Sequence, residues 1–163
     1  MLVNFNHILK DVYENKYAVG SFNFYNYESL RGILNAGKKA NSPLIVSFGK
    51  KYLKNMSLEE VAALVKAATS DVEEYVCLHL DHCNDLNVIY RAIRSGFNSV
   101  MYDGSALSFE ENLKNTKAVC EIAHAVGVSV EAELGSLAAG ENSHEGKKTD
   151  KEIYTDPEAA KIF

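Results

Sequence analysis

Short apolar runs alternate with amphipathic helical stretches from Ala18 to Leu134, and that alternation constrains the fold more than any other feature. AVGSF (Ala18 to Phe22) reads as a strand, residues 26–41 as a helix, and LIVSF (Leu44 to Phe48) as a buried strand. Ser57 and Glu60 form a capping box, and Leu58, Val61, Ala62 and Val65 follow at i, i+3, i+4, i+7 on one helical face. YVCLHL (Tyr75 to Leu80) is the next strand. It is followed by a helix with Leu86, Ile89, Tyr90 and Ile93 on one side and Gly96 as its left-handed stop. NSVMY (Asn98 to Tyr102) precedes a second capping box at Ser108 and Glu111. That helix is lined by Val119, Ile122, Ala123 and Val126 and ended by Gly127. VSVEAEL (Val128 to Leu134) is the fifth strand, and Thr155, Asp156, Pro157 and Glu158 open a further helix.

Strands alternating with helices imply parallel pairing through right-handed crossovers. A doubly wound sheet and a (β/α)8 barrel both fit. The GxGxxG turn common in the former is missing. A barrel of about 250 residues allots roughly 31 to each unit, so a chain of 163 holds about five. Counted as a barrel, the chain covers about five βα units and stops three strands short, so either the fold is not a barrel or the chain is a fragment of one. Seventeen basic against twenty-two acidic residues give a net charge of −5, with no footprint for nucleic acid. No apolar run approaches the roughly 18 residues of a membrane span, and the N-terminus lacks the pattern of a signal peptide. A cytoplasmic location and no membrane partner are the expectations. Three cysteines without a CxxC pair read as reduced, buried thiols.

Active sites of parallel α/β folds lie beyond the C-terminal strand ends. There the sequence places Asn23, then His79, Asp81 and His82, then Asp103, and finally Glu131 and Glu133. For any single residue, capping of the next helix is the blander reading. As a set on neighbouring strands they converge, and carboxylates are rarely buried without a partner or a metal. Alternation along the strand points His79 and Asp81 inward together and Leu80 toward the helices. His82 sits at the mouth as a candidate metal ligand, and His79 reads as a buried histidine holding a neighbouring carboxylate. His7 and His124 fall on helical segments and His144 in a polar loop, all read as solvated. Residues 135–154 form a loop of about twenty residues, far above the usual 4–6, which reads either as a mobile active-site lid with Glu141 over the site or as a disordered segment in which Glu141 is a solvated glutamate.

CLHLDHC (Cys77 to Cys83), SVMYDGS (Ser99 to Ser105), SVEAELG (Ser129 to Gly135) and YTDPEAA (Tyr154 to Ala160), with YAVGSFNFYN (Tyr17 to Asn26) before them, resemble the class II, zinc-dependent ketose-bisphosphate aldolases. The resemblance implies an α/β fold, with residues 1–163 forming the N-terminal part, about the first five βα units, of a single (β/α)8 TIM-barrel domain. It also implies a lyase, dimeric or tetrameric. It would split fructose or tagatose 1,6-bisphosphate into dihydroxyacetone phosphate and glyceraldehyde 3-phosphate. It makes His82 a zinc ligand and Asp81 the acid/base at the C4 hydroxyl, with Glu141 handling the proton of the dihydroxyacetone part. Asp103 and Glu133 match carboxylates that surround the metal, offer it an alternative position, or orient histidines; Asn23 and Ser47 match positions near the substrate. Whether a monovalent cation assists is left open by the motifs.

The chain departs from the family pattern after its second strand. Gly49 stands at the usual serine position and Lys51 replaces a glycine. Cys83, Ala138 and Ala139 also stand where glycines are common. The family's remaining zinc histidines and phosphate loops follow the YTDPEAA motif, so the 163 residues alone are expected to be inactive. The alternative expectation is a non-catalytic homologue or half-barrel that functions only with a partner.

Overall fold

The computed structural model describes residues 1–135 and 154–163. Five strands, β1 (Ser21–Asn23), β2 (Leu44–Gly49), β3 (Val76–Cys83), β4 (Ser99–Tyr102) and β5 (Ser129–Ala132), pair in parallel and in chain order. The helices are α1 (Phe5–Asn15), α2 (Tyr27–Ala40), α3 (Leu58–Ala68), α4 (Leu86–Ser95), α5 (Phe109–Ala125) and α6 (Pro157–Ile162). A doubly wound sheet reverses its strand order at a switch point; this one does not, and an unbroken 1-2-3-4-5 order is the arc of a barrel.

Local chemistry explains the helix ends. The Ser57 side chain accepts from the Glu60 N–H while the Glu60 carboxylate accepts from the Ser57 N–H at 2.7 Å, completing the expected box. At Ser108 only half of the box forms. Its hydroxyl caps the Glu111 N–H, but the Glu111 carboxylate takes the Ser108 hydroxyl instead of its N–H. Gly96 stops α4 at φ 105°, a conformation that glycine adopts without steric cost. Asp156 caps α6 with Pro157 in its first turn, as the sequence indicates.

Strand limits differ from the sequence reading. β1 begins at Ser21, not Ala18. β3 runs on to Cys83, because Asp81 still pairs with Gly49 and Cys83 with Tyr102. β5 ends at Ala132, leaving Glu133 just past the strand.

Period-two alternation gives the sheet two different faces. Val46, Phe48, Leu78, Leu80 and Val100 pack outward against Leu30, Leu34, Val61, Val65, Ile89 and Val119 of the helices. Ile45 and Cys77 point the other way, onto Ile8 of α1 with Val3, Phe5 and Val12 around it. Helix α1 thus covers the inner face, its start capped by Asn4 and the chain before it pinned by the Leu2–Val76 bridge. Cys77, Cys83 and Cys120 are free thiols. No helix of the described residues is long and apolar enough to cross a membrane.

Helix α2 carries two glycines in opposite situations. A Cβ at Gly37 would overlap Leu44 of β2, whereas one at Gly32 meets nothing within 4 Å. Gly37→Ala is expected to destabilise the fold by about 1–3 kcal/mol, and Gly32→Ala to stabilise it by up to about 1 kcal/mol. Urea midpoints measured side by side check both signs.

Candidate active site

One line of polar residues crosses the inner face of the whole sheet. The register pairs Asn23 with Ser47, Ser47 with His79, His79 with Ser99 and Ser99 with Ser129. Ser47, His79, Ser99 and Ser129 are buried, so each polar atom needs a local partner. Ser47 Oγ lies 2.7 Å from Ser21 Oγ. His79 Nδ1 lies 3.0 Å from Ser99 Oγ, and the Asn6 N–H reaches Ser129 Oγ at 3.4 Å. The His79 ring stacks on Phe5 with centroids 4.8 Å apart. Above this line a cavity of about 400 Å³ is lined by His79, Asp81, Glu131, Ser21, Ile45 and Phe5, among others. His79 and Asp81 therefore share the inner face, as their alternation with Leu80 requires.

At the rim, the β3–β4 pairing shifts register between Leu80 and Cys83, and His82 there adopts a left-handed φ of 42°. Such a conformation in a non-glycine residue costs energy and is typical of residues re-aimed for function. It brings His82 Nδ1 to 3.3 Å from Asp103 Oδ2 and 3.7 Å from Glu133 Oε2. Asp103 follows β4, and its other oxygen accepts from the Ser105 N–H at 3.1 Å and the Ser105 hydroxyl at 2.6 Å. Glu133 is anchored through its backbone carbonyl, which accepts from Asn112 Nδ2 at 2.8 Å. Gly104 leaves room for Asn112, since a Cβ there would overlap its amide oxygen.

The electrostatics follow from these contacts. The hydrogen bond from His82 above all, then those from Ser105, pull Asp103 down to about 2 against the opposing effect of its burial. Burial pushes His79 down to about 3, and His82 acts in the same direction. His79 is therefore neutral at physiological pH, and its 3.3 Å approach to Glu131 is that of an uncharged ring.

One ligand atom each from His82, Asp103 and Glu133 lies within 4.8 Å of the others. Donors at about 2.1 Å around one tetrahedral ion sit about 3.4 Å apart, so side-chain adjustments of about 1 Å close the cluster on an ion. An imidazole with two carboxylates is a donor set that fits a divalent cation.

The structure thus brings His82, Asp103 and Glu133 together at the rim, with Asp81, the residue before His82, in the cavity beside His79 and Glu131. Asn23 is exposed at the end of β1, one strand from Ser47, and Ser47 itself is buried against Ser21. Glu141 and residues 136–153 of the expected lid lie outside the described residues. Sequence reasoning missed Ser99 and Asn112. Ser99 carried a signal, being a polar residue in phase with His79 in an otherwise apolar strand; Asn112, inside a helix, carried none.

A family model described as fructose-bisphosphate aldolase class-II matches residues 3–163. The chain is 40% identical over 152 residues to a sulfofructosephosphate aldolase of Alkalicoccus urumqiensis, covering 93% of this chain and 53% of the relative. It is 39% identical over 164 residues to a fructose-bisphosphate aldolase of Helicobacter pylori, covering 100% of this chain and 53% of that one. Among solved structures, the YdjI aldolase from Escherichia coli K12 superposes with a TM-score of 0.83 at 34% identity, over 98% of this chain and 56% of that chain. The fructose-bisphosphate aldolase of Campylobacter jejuni superposes at 0.76 and 26% identity, over 87% and 48%. The chain spans about half the length of the curated relatives it matches.

Acid should destabilise the fold in two stages. Below the ordinary value of 6.5, unfolded His79 binds a proton that the folded state refuses until about 3. Asp103 adds a further loss as pH falls from 3.8 through about 2. Each proton steepens the decline of unfolding free energy by up to about 1.4 kcal/mol per pH unit. Urea titrations at pH 7, 5.5 and 4.5 should show the first stage, and His79→Gln should flatten it; an unaltered slope in that variant would contradict the assignment.

Proposed function

The chain belongs to the class II fructose-bisphosphate aldolase family, and on that premise we propose that the protein carrying it cleaves and forms ketose bisphosphates of the fructose or tagatose type. The observation that carries this reading is the convergence of His82, Asp103 and Glu133 beside Asp81 at one strand-end rim. The products are dihydroxyacetone phosphate and glyceraldehyde 3-phosphate. The relative named for a sulfofructose phosphate widens the field of candidate substrates to sulfonated ketose phosphates.

His82, Asp103 and Glu133 would hold a divalent metal, zinc in our reading. When bound, it supplies Lewis-acid polarisation of the ketone carbonyl. Asp81 takes the proton of the C4 hydroxyl as the C3–C4 bond breaks, and the aldehyde departs. The bonding electron pair stays with the three-carbon fragment, and Glu141 returns a proton to it. The hydrogen bonds from His82 and Ser105 hold the Asp103 carboxyl well below the usual carboxylate range, so it is ionised at neutral pH. Asn23 lies at the rim to meet the substrate. Ser47, bonded to Ser21, acts beneath it by fixing the floor of the site. Whether a monovalent cation assists is settled by comparing turnover in sodium, potassium and a bulky organic cation.

We read the protein as a homo-oligomer in the cytoplasm, a reading that rests on its family. Light scattering tests the oligomer. The 163 residues supply about half of what the relatives contain, and we take turnover to need the remainder.

A coupled aldol-cleavage assay on the full protein decides the reading. Turnover of fructose or tagatose 1,6-bisphosphate should vanish on chelation and return with zinc. Asp81→Asn should lower kcat by about 10²- to 10⁴-fold. His82→Ala should lose bound metal, seen by elemental analysis. Turnover indifferent to chelator, or full activity in Asp81→Asn, would sink the proposal.

A further inference from the structure

The reaction outlined above leaves unused the one buried histidine of the described residues. His79 is 2% exposed, held between Ser99 on one side of its ring and two carboxylates on the other. Its Nε2 lies 3.3 Å from Glu131 Oε2 and 3.9 Å from Asp81 Oδ1. Neither contact is an aligned hydrogen bond, so this buried nitrogen has no satisfied partner. The other ring nitrogen, Nδ1, is 3.0 Å from Ser99 Oγ.

These positions fix the tautomer. Carboxylates only accept, so a neutral imidazole avoids repulsion by presenting N–H, not a lone pair, toward them. With the proton on Nε2, Nδ1 carries a lone pair, and the Ser99 hydroxyl donates to it. Phe5, stacked at 4.8 Å and 25°, holds the ring plane. The two acceptors are not equivalent. Glu131 is 47% exposed and can swing to solvent, whereas Asp81, 22% exposed, is part of the β3 ladder opposite Gly49.

We propose that His79 is a positioning residue: Ser99 locks it as the Nε2–H tautomer, and that N–H, set between Asp81 and Glu131, holds the Asp81 carboxylate in the orientation from which it takes the C4 proton. This rests on the role given to Asp81 above. It has a kinetic consequence that a purely structural histidine lacks. Asp81 serves carbon–carbon cleavage, while solvent exchange of the carbon-bound proton of dihydroxyacetone phosphate uses the other acid. Losing the His79 donor should therefore separate the two half-reactions.

The experiment uses the full protein with its metal. His79→Phe keeps a ring and removes both nitrogens. It should lower kcat for cleavage of fructose 1,6-bisphosphate by about 10- to 100-fold, with KM and proton exchange changed less than about threefold. His79→Gln places an amide N–H near the position of Nε2 and should restore most of the lost cleavage. Ser99→Ala frees the tautomer and should reproduce the same split more weakly; it serves if His79→Phe does not fold. Parallel loss of cleavage and exchange, or full cleavage in His79→Phe, overturns the proposal. Independently of turnover, nitrogen-15 NMR of the wild-type imidazole should show protonated Nε2 and unprotonated Nδ1, and the reverse pattern overturns it. If the wild type neither cleaves nor exchanges, the aldolase reading falls while the NMR result still decides the Ser99–His79 arrangement.

Discussion

The parallel register is the constraint on which the rest of the structure depends. Because the strands pair in chain order with side chains alternating every residue, one residue of slip in any strand would exchange its two faces. In the observed register, Val46, Leu78 and Val100 meet the helices while Ser47, His79 and Ser99 form a polar line on the opposite side. The apolar face fixes the register through burial. The polar face inherits its geometry from that choice, and the acids two to four residues further on inherit theirs from the polar face.

Much of this was legible in the sequence because it rests on period. The alternation of strands and helices, the inward pairing of His79 with Asp81, the capping box at Ser57 and the stop at Gly96 all follow from local rules. Spacing left a barrel arc and a doubly wound sheet both open; the motifs shared with the aldolases favoured the barrel, and the unreversed strand order agrees with it. What sequence could not supply was distance. Asp103 and Glu133 come from different strands, and their approach to His82 depends on a register shift and a left-handed backbone that no residue type announces. Ser108 shows the same limit at small scale, where the pattern of a capping box was present and only half of its bonds formed.

The rim and the floor of the site obey different electrostatics. At the rim, Asp103 keeps its charge because His82 and Ser105 donate to it. On the floor, His79 gives up the capacity to be charged because it is buried. A fixed anion suits a place where a cation is to be held. A fixed neutral donor suits a place where a carboxylate must be aimed without being silenced by a salt bridge. Two histidines three residues apart on one strand are thus set to opposite tasks by their surroundings alone.

Helix α1 lies on the inner face, and its first residue, Phe5, is stacked on His79. The first turn of α1 is therefore part of the wall of the cavity that His79, Asp81 and Glu131 line. In a map of tolerance to substitution, Phe5 should group with positions of the central strands and not with the variable surface of its own helix. A reader who located the chemistry by proximity along the chain would overlook it.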